Sequence, residues 1–111
     1  MIPIQYAWYR GTSSDPENWT PENPAWGQCA VTALIVQDLL GGILLRAKVN
    51  GVSHYWNVLD TGEKIDLTIA QFGDKVILNE VPVERSREYV LSFPDTKRRY
   101  ELLRQLVYGT D

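Results

Sequence analysis

The strongest hydrophobic pattern in the chain runs from Gln28 to Leu40, a segment that is apolar on nearly every side and stops at Gly41-Gly42. The run is long enough for a helix, the glycines suit a C-cap, and a helix with so little polar face belongs at the centre of its domain. Ala30 and Ala33 are small enough to let a sheet approach closely. Ahead of it, Gly11 to Gly27 is dominated by Gly, Ser, Asp, Pro and Asn. Pro16, Pro21 and Pro24 block regular structure there, and Trp19 and Trp26 are available as anchors. So long a loop either walls a cleft or covers the core. The aromatic-rich Ile4 to Arg10 reads as a short helix or packed arm.

Past the glycines the period changes from helical to twofold. Ile43 to Val49 alternates, and Asn50-Gly51 signals a two-residue type I′ hairpin. The turn sets the register: Val49 pairs with Val52, Ala47 with His54, and Leu45 with Trp56. One face then carries Leu45, Ala47, Val49, Val52, His54, Trp56 and Val58, and the apolar helix is expected to pack on it. The turn Asp60-Thr61-Gly62 leads to Glu63–Thr68 in one of two registers. A three-residue loop with Gly62 in the left-handed region pairs Leu59 with Glu63 and Trp56 with Asp66, placing Asp66 on the face of His54. A two-residue Thr61-Gly62 turn pairs Val58 with Ile65 and leaves Asp66 on the opposite face beside Asn57. Hydrophobic alternation alone prefers the second, which keeps Ile65 and Leu67 on the His54 face. Farther on, Lys75–Leu78 and Tyr89–Ser92 read as short strands, and Glu84 to Glu88 as a solvated charged surface. Pro94 suits the first position of a last helix, with Tyr100, Leu103, Leu106 and Val107 at helical spacing up to Gly109. The expected architecture is α+β: a buried N-terminal helix on a small antiparallel sheet, with a surface helix at the C-terminal end.

The chain has 111 residues, 44% of them hydrophobic, enough for one domain over 1–111 with one core. Its net charge of −3, from 11 basic and 14 acidic residues spread along the chain, carries no nucleic-acid footprint and no polybasic membrane anchor. No apolar run approaches the roughly 20 residues needed to cross a bilayer. The start Met1-Ile2-Pro3-Ile4-Gln5 has neither the charged nor the apolar region of a signal peptide, so the expectation is a soluble, cytoplasmic chain without nucleic-acid or membrane partners. No cofactor motif is present. With one Cys and one His, a metal site would need carboxylates to complete it, and no ligand spacing is visible, so no metal is expected.

The single cysteine draws attention because Cys29 falls at the first turn of the apolar helix, where unpaired N–H groups and the helix dipole favour a thiolate. The competing reading is an inert core cysteine. His54, the one histidine, lies opposite an alanine, which leaves room beside its ring; a satisfied core histidine is the plainer alternative. Asp60 is turn chemistry. Asp66 reads either as a partner for His54 or as an exposed strand residue or cap.

Gly27-Gln28-Cys29-Ala30-Val31 resembles the run around the nucleophile of transglutaminase-like proteins, where a helix-start Cys is followed by a His and then an Asp on successive strands; His54 and Asp66 follow in that order. More closely, Gly27–Leu34, Ser53-His54-Tyr55-Trp56-Asn57, Ile65-Asp66-Leu67-Thr68 and Gln71-Phe72-Gly73 together are similar to the small bacterial YunG-like family, over roughly residues 6–73. The resemblance implies a papain-like or transglutaminase-like fold, although the chain is much shorter than a peptidase of either large family. It also implies roles: Cys29 as nucleophile, His54 as base and later acid, Asp66 as orienter of the ring with Asn57 as fallback, and oxyanion support from the backbone N–H of Cys29 with Gln28. The function so implied is a thiol hydrolase or acyltransferase acting on an amide, thioester or isopeptide bond of a peptide, protein or small acyl substrate. The alternative is a papain-like scaffold without catalysis that serves as a protein-binding module.

Overall fold

The apolar block forms helix α2, Cys29–Leu40, which ends on Gly41 and buries Val31 to Val36. A computed structural model describes residues 1–109 of the chain. Before α2 come a one-turn helix α1, Ile4–Ala7, and a 3-10 turn at Arg10–Thr12. After it, β1 (Ile43–Val49) and β2 (Val52–Val58) make the expected hairpin in the expected register, with Ala47 opposite His54 and Leu45 opposite Trp56. Asn50 and Gly51 both take positive φ, as a type I′ turn requires. The two-residue β3 (Lys64–Ile65) and a later β4 (Val83–Arg85) complete an antiparallel sheet of order β3-β2-β1-β4. Helices α3 (Arg87–Leu91) and α4 (Pro94–Tyr108) close the fold.

The register between β2 and β3 is the three-residue-loop alternative. Asn57 pairs with Ile65 and Val58 with Lys64, the Leu59 amide donates to the Glu63 carbonyl, and Gly62 has φ 89°. Hydrophobic alternation preferred the wrong register because the core lies on the other face of the sheet. Helix α2 does not pack on the His54 face. It packs on the face of Leu44, Tyr55 and Ile65, where Leu44, Leu34, Ile35, Val90, Leu103 and Val107 form the core with Ile4 and Ala7. Ile65 therefore reaches the core in the register that turns Asp66 toward His54. The buried Asn57 amide donates to the Ala33 carbonyl at 2.9 Å and fastens β2 to α2.

Two expected C-terminal strands are corrected. Tyr89–Ser92 is not a strand. It falls largely within α3, where the Ser86 hydroxyl accepts from the Tyr89 amide at 3.1 Å and so caps the helix. The charged run Glu84 to Glu88 does lie at the surface, and its first two residues belong to β4, whose three residues are too few for alternation to show. Lys75–Leu78 forms no regular strand but is tied to the hairpin by single bonds, Asn50 N–H to the Ile77 carbonyl and Asn79 N–H to the Lys48 carbonyl. In α4 the buried stripe is Tyr100, Leu103 and Val107, while Leu106 faces solvent. No helix among the described residues is long and apolar enough to cross a membrane.

Candidate functional site around Cys29 and His54

Strand β3 covers β2 only at Asn57 and Val58, so the edge of β2 at Ser53 and His54 is open. The start of α2 meets that edge. The Cys29 thiol donates to the Ser53 carbonyl at 3.7 Å, one residue along the strand from His54. The cysteine thus sits at the strand edge that carries the histidine, where β3 does not cover it.

His54 itself is 1% exposed. Its Nε2 lies 2.7 Å from Asp66 Oδ2, and the other carboxylate oxygen accepts from the Thr68 amide and hydroxyl at 3.3 and 3.4 Å. This local turn fixes the carboxylate so that one oxygen faces the ring. The indole of Trp56 stacks beside the imidazole and Phe72 meets it edge-on, with centroids 5.8 and 5.0 Å away. Burial alone pulls the His54 pKa down. The hydrogen bonds to Asp66 and Cys29 and the attraction of both for a positive ring outweigh it, and the pKa rises to about 9. At neutral pH the ring is an imidazolium.

Gln71 is the residue that sequence reasoning passed over. It lies in a 3-10 turn, Ile69–Phe72, and is buried. Its Nε2 is 3.4 Å from His54 Nδ1 and donates to the Thr68 carbonyl, while its Oε1 accepts from the Gly27 amide at 3.3 Å. One side chain therefore links the residue before the cysteine helix to the histidine. The run Gln71-Phe72-Gly73 was visible in the sequence, but nothing in it showed that this amide would reach both elements. Gly27 has φ 73°, and a Cβ there would lie 2.2 Å from the Ser13 hydroxyl, so only glycine fits.

Two supporting residues are not where the sequence reading put them. Asn57 faces α2 from the side of the sheet opposite His54, so it cannot orient the ring. Gln28 is fully buried, and its Nε2 donates to the Tyr9 carbonyl at 3.0 Å, away from the thiol; its Oε1 has no partner among the described residues. The backbone N–H of Cys29, at the first helical position, lacks an intrahelical acceptor.

A cavity of about 170 Å³ opens at the thiol, bordered by Asp15, Trp26, Gly27, Ser53 and Gln71. Asp15 is held below the usual carboxylate range by hydrogen bonds from Asn18 and Trp26. Among the described residues no three His, Cys, Asp or Glu side chains come together as a metal site.

The profile of the YunG protein family matches residues 3–110. The chain belongs to that family. It is 34% identical over 103 residues, 92% of this chain and 83% of the other, to the uncharacterized protein YunG of Bacillus subtilis (strain 168). No solved structure is a significant match. Family membership therefore brings no assigned reaction with it, and the chemistry must be argued from the site.

Proposed function

We infer that this chain is a cysteine-dependent hydrolase or acyltransferase acting on an amide, thioester or isopeptide bond. The observation that carries the reading is one buried imidazole that bonds Asp66 through Nε2, in a residue next along β2 to Ser53, whose carbonyl accepts from a thiol at a helix start. Thiol, then histidine, then aspartate follow in the chain order of papain-like and transglutaminase-like proteins, and a compact version of such a fold is part of the proposal. Cys29 as thiolate attacks the substrate's carbonyl carbon, and the backbone N–H of Cys29 stabilises the oxyanion. When the tetrahedral adduct collapses to a thioester, the His54 imidazolium gives its proton to the departing amine or thiolate. Water, or an acceptor amine in the transfer reaction, then loses a proton to His54 as it attacks the thioester, and the sulfur leaves as thiolate. Asp66 keeps the ring oriented and stabilises its charge throughout. A cytoplasmic location suits a reactive thiol of this kind.

A second reading rests on the near-complete burial of His54, which also suits a structural pin in a non-catalytic, protein-binding scaffold. Alkylation by iodoacetamide at pH 7 separates the two. Catalytic pairing gives Cys29 a rate at least about tenfold above N-acetylcysteine, and His54→Gln abolishes the excess. A rate equal to the free thiol's, unchanged in a folded His54→Gln protein, overturns the catalytic reading.

A further inference from the structure

On the side of Ser53 and Ala30 away from the thiol cavity lies a second cleft of about 340 Å³, lined by Arg46, Tyr55, Arg85, Tyr89, Phe93 and Thr96 among others. Ser53 borders both spaces, and its carbonyl accepts from the Cys29 thiol. The two clefts thus share Ser53, and Ala30, the residue after Cys29 in α2, lines the second.

The walls of this cleft are cationic and aromatic, and its two arginines differ. Arg46 is compensated: Nη1 pairs with Glu80 at 2.9 Å and Nε donates to the Ser53 hydroxyl at 3.0 Å. Arg85 has no carboxylate within salt-bridge range among the described residues, and its guanidinium lies over the Tyr89 ring, 5.1 Å from the centroid. Its neighbour Glu84 projects from the opposite face of β4, because side chains alternate along a strand. One uncompensated guanidinium lying over an aromatic ring, in a cleft that shares Ser53 with the thiol cavity, has the chemistry of a receptor for one negative charge.

We propose that Arg85 makes this cleft a substrate subsite for a carboxylate, so that the acyl compound processed at Cys29 carries a carboxylate group near the carbonyl under attack. A single free cation balances a monoanion, and the flanking Tyr55, Tyr89 and Phe93 receive the apolar part of the same molecule. The proposal deepens the thiol-hydrolase reading and rests on it for the reaction, but the anion preference is measurable without any turnover.

Iodoacetate and iodoacetamide differ by the charge sought here. The ratio of their alkylation rates at Cys29, divided by the same ratio for N-acetylcysteine, reports the field of the cleft, whereas the iodoacetamide rate alone reports the nucleophile. The expected normalised ratio is about ten at low salt and falls as salt is added. Arg85→Gln lowers it several-fold at an unchanged iodoacetamide rate, and Arg85→Lys restores part of it. Glu80→Gln, which frees Arg46 from its counter-charge, raises it, a gain that misfolding cannot mimic. A ratio in Arg85→Gln equal to that of the unmutated chain overturns the subsite, because the attraction then comes from His54 alone. A slow iodoacetamide rate with a ratio still dependent on Arg85 overturns the catalytic reading and leaves the anion site standing.

Discussion

Replacing Asp66 with Asn removes the charge that holds His54 protonated while leaving an isosteric amide in its place, and the chain contains a single histidine to report the change. In the intact protein the ring titrates at about 9, against 6.5 for a free histidine, which is about 3 kcal/mol of preference for the imidazolium in the fold. A hydrogen bond to a charged partner contributes about 1.5–3 kcal/mol, so Asp66→Asn is expected to lower the His54 pKa by about one to two units. Because the ring's ε1 proton gives one resolvable NMR signal in a one-histidine protein, a pH titration reads the value directly. The same shift dictates the pH dependence of stability. The folded-state pKa is raised, so the contribution is complete below about 6.5. Between 6.5 and about 9 the native state holds a proton that the unfolded chain has lost, and unfolding free energy falls by about 1.4 kcal/mol per pH unit from this group. Urea unfolding of the intact protein should weaken by about 3 kcal/mol across that window, and that of Asp66→Asn by distinctly less. A wild-type resonance titrating at 6.5, or an identical titration in folded Asp66→Asn, would refute the electrostatic account of the site.

Other substitutions test the frame that holds the pair. Leu34 is fully buried between α2 and the core, and Leu34→Ala should cost about 2–5 kcal/mol in urea unfolding at constant m-value. Asn57→Ala strips the Ala33 carbonyl of its donor and should destabilise by about 1–3 kcal/mol while leaving the His54 titration where it was; a lowered histidine pKa would return Asn57 to the orienting role. Gly27→Ala forces a side chain into a left-handed position against the Ser13 hydroxyl, so a loss of about 1–3 kcal/mol and a changed Cys29 alkylation rate are expected, and unchanged thermal melting would contradict the geometry. Gln71→Leu should keep the fold but disturb both Gly27 and His54, seen as a moved histidine resonance and a slower reaction of Cys29 with iodoacetamide.

How the cysteine and histidine meet shows what one sequence can and cannot reveal. The apolar stretch of α2, the Asn50-Gly51 turn and the pairing of Ala47 with His54 were legible because each depends on neighbours within a few residues. The side of the sheet that would be covered was not legible, because both faces carry buried residues: Leu44 and Asn57 under α2, Ala47, Val49, His54 and Trp56 on the other side. With the core placed on the His54 face, alternation favours the two-residue turn, whereas the left-handed Gly62 sets the three-residue loop and its register. The helix start nevertheless comes up to the strand that carries His54, for a reason alternation does not encode. A β3 of two residues leaves the edge of β2 open, and the helix start meets that edge at Ser53, next to His54. Had β3 continued along β2 past His54, the sheet would separate thiol and imidazole. The brevity of β3, set where Asp66 leaves the strand to accept from Thr68, both positions the carboxylate and leaves uncovered the edge of β2 at which the Cys29 thiol bonds Ser53.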